Sequence, residues 1–405
     1  MSGSNTNRSV PADTGNPYAV SSPSVFAETC KRLLASGLYH TGLFRMARRF
    51  ESTHELGKRE DSRLPRLYQF SGSKFGILCY HRVGTEGVPL FSRLEPRVFE
   101  AQIRYIRRHY RIVSLAQLCH ELKNEHSVPP TLSITFDDGY RDLYTHAFPV
   151  LQKYQVPATV YLIGECMETG EAPWYDRIFA ALQALPEASL ELELNGPRRF
   201  QLSSPEARMG AAWEIVCYLR TIPDSRRREW CKAFESRMQL PQSQLRGRML
   251  DWQQVRAMHR AGVFFGAHTA THPAVSRLDP ENLGEELGRS RQILENRLQS
   301  EVRDFAYPFG KPGDCSVAAE QFFIANGYRS AATTVEGCNT TRTNLYRLCR
   351  LQVDDDPSIS YFAFRLSRMF LDCTPETVAA ESHVPARGHS ATVRNQQRQI
   401  RAKNA

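Results

Sequence analysis

The feature that most constrains the fold is a regular alternation of short apolar runs with longer amphipathic segments. The apolar runs have turn residues at their borders, as buried strands do; they read GILCYH (76–81), TLSITF (131–136), ATVYLIG (158–164), VFFGAH (263–268), DFAYPF (304–309) and YRSAAT (328–333). The segments between them have the residue spacing of helices, and several end at glycine, as helix C-termini often do. Repeated β–α units predict an α/β protein with a parallel sheet, either doubly wound or closed into a barrel.

One stretch, at about 175–248, interrupts this alternation. It contains the alternating sequence LELELNGPRRFQL (190–202), in which Asn195 and Gly196 have the composition of a tight hairpin turn. Polar segments with helical spacing follow the hairpin. We interpret the stretch as an insertion that covers one end of the main domain.

The two ends of the chain differ in composition from its centre. Residues 1–25 are rich in Ser, Asn, Pro and Gly, which predicts a disordered leader. Residues 26–72 combine a basic segment of helical spacing with a charged linker, and 371–405 form a basic tail that we expect to be disordered. The main domain therefore spans 73–370. For the basic helical segment two interpretations stay open: docking on the main domain, which we favour, and peripheral contact with a membrane surface.

The formal net charge of +9 is concentrated in these flanks, and residues 70–382 are close to neutral. A nucleic-acid-binding surface would place its basic residues on the folded domain. The charge distribution therefore does not indicate nucleic acid as a partner. Nothing in the sequence indicates the oligomeric state.

Cysteine usage bears on the compartment. The ten cysteines form neither a CxxC pair nor a short-spaced framework, which favours reduced thiols in a cytoplasmic protein. The first twenty residues lack a basic region followed by an apolar one, so no secretory signal is visible. A cytoplasmic location, with membrane association left open, is the expectation.

Two adjacent carboxylates, Asp137 and Asp138, directly follow the predicted strand TLSITF. Like charges at such close range are costly unless something makes use of them. A metal ion can bind one carboxylate and leave the other free to accept a proton. The alternative is an Asx turn in which Gly139 supplies the positive φ angle.

Two histidines, His268 and His272, stand four residues apart at the end of the predicted strand VFFGAH. They would face the same side if the segment turned helically, which is a spacing that suits a divalent metal. Taken alone, this pair is as compatible with a structural role. Together with Asp138, however, it forms a two-histidine, one-carboxylate set with open positions for water and substrate, and Asp137 is the natural base beside it.

All of these candidates follow the C-terminal ends of predicted strands. His81 ends GILCYH, the Asp pair follows TLSITF, His268 ends VFFGAH, and Phe309 ends DFAYPF. In a β/α barrel, functional groups gather at this edge of the sheet. The sequence therefore predicts one site that combines these residues.

The TFDDG and HTATH segments resemble the first two motifs of the NodB-type polysaccharide deacetylases, carbohydrate esterase family 4, over about residues 75–370. The resemblance implies a distorted (β/α)7 barrel and a divalent metal, usually zinc. It also implies Asp137 as the catalytic base, Asp138, His268 and His272 as the metal ligands, and the backbone N–H of Phe309 as a donor to the oxyanion.

Two family positions differ in this sequence. The third motif, Arg-x-Pro-Tyr in the family, reads Ala306-Tyr307-Pro308-Phe309, so the arginine that orients the base is missing. We hypothesise that Arg350 replaces it from another strand; the alternative for Arg350 is a surface salt bridge. The family's late Leu-x-His, which supplies the acid, is also missing after residue 310.

An early Tyr80-His81-Arg82-Val83 segment is present instead, similar to exopolysaccharide deacetylases whose acid histidine has moved to the first strand. The resemblance implies that His81 is the general acid, and a core or hydrogen-bonded histidine is the alternative. Trp174 and Trp252 are candidates for a sugar-binding surface, but aromatic residues at helix starts more often serve packing, which is the interpretation we favour.

We therefore expect a metal-dependent hydrolase that removes N-acetyl groups from a polysaccharide or a lipid-linked oligosaccharide in exopolysaccharide biosynthesis. Two alternatives are kept. One is a non-catalytic glycan-binding relative, which Ala306 suggests. The other is a deacetylase of O-acetyl esters or small-molecule amides on the same fold.

Overall fold

The computed structural model describes residues 74–85, 93–124, 129–239 and 246–373. The predicted leader (1–25), almost all of the predicted tail (371–405) and the basic segment (26–72) lie outside the described residues. Helices long and apolar enough to span a membrane are absent from the described part of the chain.

Twelve strands lie in the described residues. In chain order they are β1 (Phe75–Tyr80), β2 (Arg82–Val83), β3 (Arg93–Leu94), β4 (Arg111–Ile112), β5 (Thr131–Phe136), β6 (Ala158–Leu162), β7 (Ser189–Leu194), β8 (Gly196–Gln201), β9 (Phe264–Ala267), β10 (Asp304–Ala306), β11 (Ser330–Ala332) and β12 (Leu351–Gln352). Eight of them form one parallel sheet in the order β11-β10-β9-β6-β5-β1-β12, with β4 paired to β5. All six apolar runs predicted to be strands belong to this sheet.

The sheet curls until its two ends meet. Leu351 pairs with Leu78 of β1, while Leu348, three residues earlier, exchanges backbone hydrogen bonds with Ala331 and Thr333 at the end of β11 (3.0 and 2.8 Å). The last segment therefore joins the first strand to β11. This curled parallel sheet with outer helices confirms the distorted (β/α) barrel.

Eleven α-helices lie in the described residues: α1 (Pro96–His109), α2 (Leu115–Lys123), α3 (Phe148–Tyr154), α4 (Gly164–Thr169), α5 (Trp174–Ala184), α6 (Pro205–Thr221), α7 (Asp224–Met238), α8 (Trp252–Arg260), α9 (Pro280–Leu298), α10 (Val317–Ala325) and α11 (Ile359–Leu371). The first shows why these segments are helical. Its buried side chains recur at intervals of three and four residues: Val98, Phe99, Gln102, Ile103, Tyr105 and Ile106. Pro96 starts the helix, and basic residues in its last turn complement the helix dipole.

The stretch that interrupts the β–α alternation has a hydrophobic cluster of its own. The predicted hairpin is present as the antiparallel pair β7–β8, with Leu194 opposite Gly196. Leu190 and Leu192 of the hairpin pack with apolar residues of α5, α6 and α7. The insertion therefore has an internal core, and its helices lie against the barrel near the ends of β9 and β10, as described below.

Cys338 and Cys373 are disulfide-bonded, with their Cα atoms 5.8 Å apart. For this pair the prediction of reduced thiols is wrong. The two cysteines are 35 residues apart in the chain, so no short spacing marks them in the sequence. Seven further cysteines in the described residues form no disulfide bond. The cytoplasmic location stays a prediction.

Gly266 of β9 offers a test of the packing inside the barrel. A Cβ atom there would lie 2.6 Å from the Tyr161 ring and 2.8 Å from the backbone oxygen of Asp304. We expect Gly266→Ala to lower the free energy of unfolding by about 1–3 kcal/mol, because backbone and a buried ring must move. Urea-induced unfolding measures this change.

The matched control is Gly210→Ala. Gly210 lies in the interior of α6, and a Cβ atom there would meet nothing within 4 Å. Alanine is the better helix former, so this variant is expected to be neutral or more stable by up to about 1 kcal/mol. Equal unfolding midpoints for the two variants would contradict the packing described for β9.

Candidate metal centre and active site

The predicted site residues meet at the C-terminal edge of the barrel. Tyr80 and Phe136 are paired in the register of β1 and β5, so His81 and Asp137, which follow them, leave the sheet side by side. Ala267, the last residue of β9, is paired with Leu162 and precedes His268. The strand ends that precede His81, Asp137 and His268 therefore lie along one edge of the sheet.

Asp138, His268 and His272 form a compact buried group. Oδ1 of Asp138 lies 3.5 Å from Nε2 of each histidine, and the three potential ligand atoms all lie within 4.8 Å of one another. The three side chains are between 2 and 5% exposed. Two imidazoles and a carboxylate that converge in this way are a donor set typical of zinc and related divalent metals.

The two histidines do not converge through a helical turn, as the four-residue spacing had suggested. Thr269 and His272 have φ angles of 61° and 60°, so the loop turns through the left-handed region twice. The Thr269 hydroxyl stabilises this shape: it accepts a hydrogen bond from the His272 N–H (2.9 Å) and donates one to the His268 carbonyl (2.6 Å). Left-handed residues other than glycine are uncommon and cluster at functional sites.

The remaining atoms of the group fit a bound metal. Nδ1 of His268 lies 2.7 Å from the carbonyl oxygen of Ala306, which leaves Nε2 free to bind a metal. Burial, followed by the charge of His268, lowers the pKa of His272 to about 3, so its imidazole is neutral at physiological pH. Oδ2 of Asp138 is buried without a hydrogen-bond partner among the described residues, and Asp138 itself has a φ angle of 72°. An unpaired buried carboxylate oxygen is costly, and a metal would offset this cost.

Asp137 lies beside this group and is held by Arg350. Nη1 and Nη2 of Arg350 donate to the two carboxylate oxygens of Asp137, each at 2.7 Å. Burial opposes ionisation of Asp137, but the charge and hydrogen bonds of Arg350 outweigh it and hold the pKa of the carboxyl well below its usual range. The thiol of Cys79 also contacts this carboxylate: its Sγ lies 3.6 Å from Oδ2 of Asp137.

Arg350 is fully buried, so the alternative of a surface salt bridge is wrong. Its Nε donates to the backbone oxygen of Thr333 (2.7 Å), and its guanidinium carbon lies 5.7 Å from the ring centre of Tyr161. Tyr161 belongs to a buried cluster that also contains the small residues Ala306 and Ala332. Arg350 therefore reaches Asp137 through the barrel interior, where Ala306 is also buried.

His81 also lies next to Asp137. Its Nε2 is 4.0 Å from Oδ2 of Asp137, and its side chain is 20% exposed. His81 is thus neither enclosed in the core nor remote from the site. Its position at the open edge allows contact with both a substrate and the Asp137 carboxylate.

Phe309 follows β10 in a left-handed conformation, with a φ angle of 60°. Its backbone oxygen accepts a hydrogen bond from the Thr334 hydroxyl (2.5 Å), and its ring packs against the His272 ring with centres 4.9 Å apart. In the described part of the chain, no residue accepts a hydrogen bond from the Phe309 N–H. This N–H is therefore available beside the candidate metal-binding group.

Three contacts were not identified from the sequence. Cys79 lies two residues before His81 on β1, and the two-residue repeat of a strand could have placed both side chains on one face. Trp174 was considered for sugar binding, but its indole N–H donates to the His272 carbonyl (3.1 Å) and it is buried. Tyr175 packs its ring against His272 at 4.9 Å. The last two come from the insertion, whose position relative to the barrel no motif encodes.

Comparisons with known proteins agree with this geometry. Residues 124–323 match the family model of polysaccharide deacetylases. The protein YxkH of Bacillus subtilis (strain 168), itself assigned to the polysaccharide deacetylases, is 20% identical over 317 residues, which are 78% of this chain and 84% of YxkH. The poly-beta-1,6-N-acetyl-D-glucosamine N-deacetylase of Escherichia coli (strain K12) is 31% identical over 98 residues, which are 24% of this chain and 15% of that protein.

Among solved structures, the Streptococcus pyogenes deacetylase PplD in complex with acetate superposes with a TM-score of 0.50 and 19% identity. The superposition covers 74% of this chain and 99% of PplD, which supports the shared fold. The motifs, the fold and the family match agree: residues 124–323 belong to a polysaccharide deacetylase domain, a hydrolase domain of the NodB type (carbohydrate esterase family 4).

Proposed function

We propose that this protein is a metal-dependent N-deacetylase that hydrolyses the acetamide of N-acetylated sugar units in a polysaccharide or lipid-linked oligosaccharide. The observation that carries the proposal is the convergence of Asp138, His268 and His272 beside a separate, buried carboxylate, Asp137. One carboxylate is thereby available as a ligand and the other as a base. A pure binding protein would have no need for the second one.

A divalent metal, most plausibly zinc, held by Asp138, His268 and His272 would lower the pKa of water and polarise the acetamide carbonyl. Asp137 accepts the proton of the attacking water, since Arg350 keeps its carboxylate ionised and fixes its orientation. The Phe309 N–H donates a hydrogen bond to the oxyanion that develops on the carbonyl oxygen. The products are acetate and a sugar with a free amine.

His81 is proposed as the general acid. An unprotonated amide nitrogen is a poor leaving group, so cleavage requires a proton donor on the amine side. His81 directly follows the first strand and lies at the open edge of the site, 4.0 Å from the Asp137 carboxylate. An imidazolium at this position can supply the proton.

The missing motif arginine was the ground for a non-catalytic relative. Arg350 supplies the same type of contact to Asp137 from the last strand, which removes that ground. The substrate class is inferred from the family and from the Escherichia coli relative, whose name specifies poly-beta-1,6-N-acetyl-D-glucosamine. We propose an N-acetylated exopolysaccharide of this chemistry, and O-acetyl esters are the alternative that the assay must separate.

The function is tested by acetate release from N-acetylated β-1,6-glucosamine oligosaccharides, with O-acetylated sugars in parallel. We expect release that a chelator abolishes and zinc restores. Asp138→Asn should lose most of the bound metal, because asparagine tolerates the positive φ angle but is a poor ligand. Asp137→Asn should keep the metal and lose turnover, because it changes the base alone.

The two variants are matched controls, since they make the same chemical change at adjacent positions. Metal content is measured by elemental analysis of purified protein. Stoichiometric metal in Asp138→Asn, or near-normal turnover in Asp137→Asn, would contradict the assignment of ligand and base. Acetate release from O-acetyl substrates alone would contradict the proposed substrate.

Arg350→Met should lower kcat by about 10²-fold with little change in metal content, because Asp137 loses its orientation. The pKa of Asp137 should rise, since burial remains and the charge that opposed it is gone. The acidic limb of the kcat/KM profile should therefore move to higher pH. Both are read from initial rates across a pH series.

Loss of one partner of a buried ion pair is also destabilising, so Arg350→Lys serves as a milder variant that keeps the charge but not the two-pronged contact. Arg347→Met is the control, since Arg347 is also largely buried and pairs with Glu320 rather than with Asp137. If Arg350→Met and Arg347→Met had the same pH profile, Arg350 would have no role in tuning Asp137.

His81→Ala should lower kcat for the N-acetyl substrate by about 10² to 10⁴, with bound metal unchanged, because the leaving amine loses its proton donor. The decrease in kcat should be smaller for an ester substrate, because its leaving group depends less on protonation by an acid. His120→Ala on the exposed face of α2 is the control. Near-normal deacetylation by metal-loaded His81→Ala would assign the acid to another residue.

A further inference from the structure

A buried acid, Glu286, packs against the loop that carries the two candidate metal-binding histidines. Glu286 belongs to α9 and is 3% exposed. Its Oε2 accepts hydrogen bonds from the backbone N–H groups of Ala270 (3.0 Å) and Thr271 (3.1 Å). Its Oε1 accepts one from the Thr271 hydroxyl (2.8 Å). One side chain thus forms three hydrogen bonds with the segment between His268 and His272.

The same carboxylate is tied to the insertion. Nη2 of Arg228, on α7, donates to Oε1 of Glu286. The neighbouring Arg227 donates to the Thr271 hydroxyl oxygen (3.3 Å), and Asp224 links the two arginines (2.6 and 2.7 Å). Arg227 also lies over the ring of Trp174 at 4.9 Å. The loop between His268 and His272 is therefore hydrogen-bonded both to α9, through Glu286, and to the insertion, through Arg227.

The loop depends on such support. Thr269 and His272 both adopt left-handed conformations, each of which costs on the order of 1 kcal/mol for a residue other than glycine. Without a surrounding structure that enforces it, the loop would relax, and the two Nε2 atoms would no longer converge on Asp138. The backbone N–H groups of Ala270 and Thr271 point to Glu286, so this contact fixes the part of the loop midway between the ligands.

We propose that Glu286, paired with Arg228 of the insertion, is a positioning residue that sets the His268–His272 loop in the conformation required for metal binding. The inference rests on the proposed metal-dependent function and adds a role for the insertion. Through the contact between Arg228 and Glu286, the insertion increases the affinity of the site for the metal.

The chemistry of the contact explains why an acid is required. Four donors meet the side chain of Glu286: two backbone N–H groups, one hydroxyl and one guanidinium. An ionised carboxylate has only acceptors and satisfies all four. A glutamine has the same shape but presents its own NH2 donors to at least one of these groups. Glu286→Gln therefore breaks the contact without creating a cavity.

We expect Glu286→Gln to bind zinc about 10- to 100-fold more weakly than the wild-type protein. The zinc dissociation constant is measured on the full chain by competition with a chromophoric chelator. Thermal unfolding of the metal-free protein is measured in parallel, so that a change in affinity can be separated from a general loss of stability.

Glu295→Gln is the matched control. Glu295 lies on the same helix and also accepts from an arginine, Arg291 (2.8 Å), and from a backbone N–H, that of Val302 (2.9 Å), but it does not touch the loop. It should lower stability without changing the dissociation constant for zinc. Equal affinities for Glu286→Gln and Glu295→Gln would overturn the proposal.

A second pair of variants keeps the test decisive if Glu286→Gln fails to fold. Thr271→Val preserves the shape of the side chain and removes the hydroxyl that contacts Glu286, and it should bind zinc roughly fivefold more weakly. Thr271→Ser keeps the hydroxyl and should restore wild-type affinity. Wild-type affinity in Thr271→Val would overturn the inference, whereas a wild-type protein that binds no zinc would overturn the proposed function as well.

Discussion

The buried pair between Asp137 and Arg350 is the interaction on which the rest of the site depends. Asp137 follows β5 and Arg350 precedes β12, on either side of β1, so the pair forms only when β12 has added to the sheet beside β1. Removing two charges from water costs several kcal/mol for each ion. The two-pronged geometry and the extra hydrogen bond to Thr333 offset this cost. Arg350 thereby links the Asp137 carboxylate to the segment that follows β11, at the other end of the sheet.

A second constraint comes from the insertion. Its helices contact both loops that complete the site: Trp174 donates to the carbonyl of His272, and Arg220 binds Asp314 through two hydrogen bonds (2.8 and 2.6 Å) while lying over the Phe309 ring. The loops after β9 and β10 contain the left-handed residues His272 and Phe309, and these contacts stabilise them. The insertion has its own hydrophobic core, which makes it rigid enough for this purpose.

Much of the candidate site could be predicted from the sequence because its residues directly follow strands. The Asp137-Asp138 pair and His268 were placed correctly on one edge, since the C-terminal ends of parallel strands always share an edge. The four-residue spacing of His268 and His272 was misleading about local structure, because it suggested a helical turn where two left-handed residues produce the convergence. The Cys338–Cys373 disulfide had no signal either, since its cysteines meet only through the fold.

By itself the sequence determined the α/β architecture, the six strands that its apolar runs mark, and the residue types available for metal binding and proton transfer. These follow from local patterns of two and 3.6 residues and from motifs within a single loop. Only the tertiary structure decided which distant residues complete the site. Arg350 lies 213 residues from Asp137, and Glu286 on α9 bonds the loop after β9, 15 residues away. These long-range contacts depend on the curvature of the sheet and on where the insertion packs. Packing of the whole core determines both of these features.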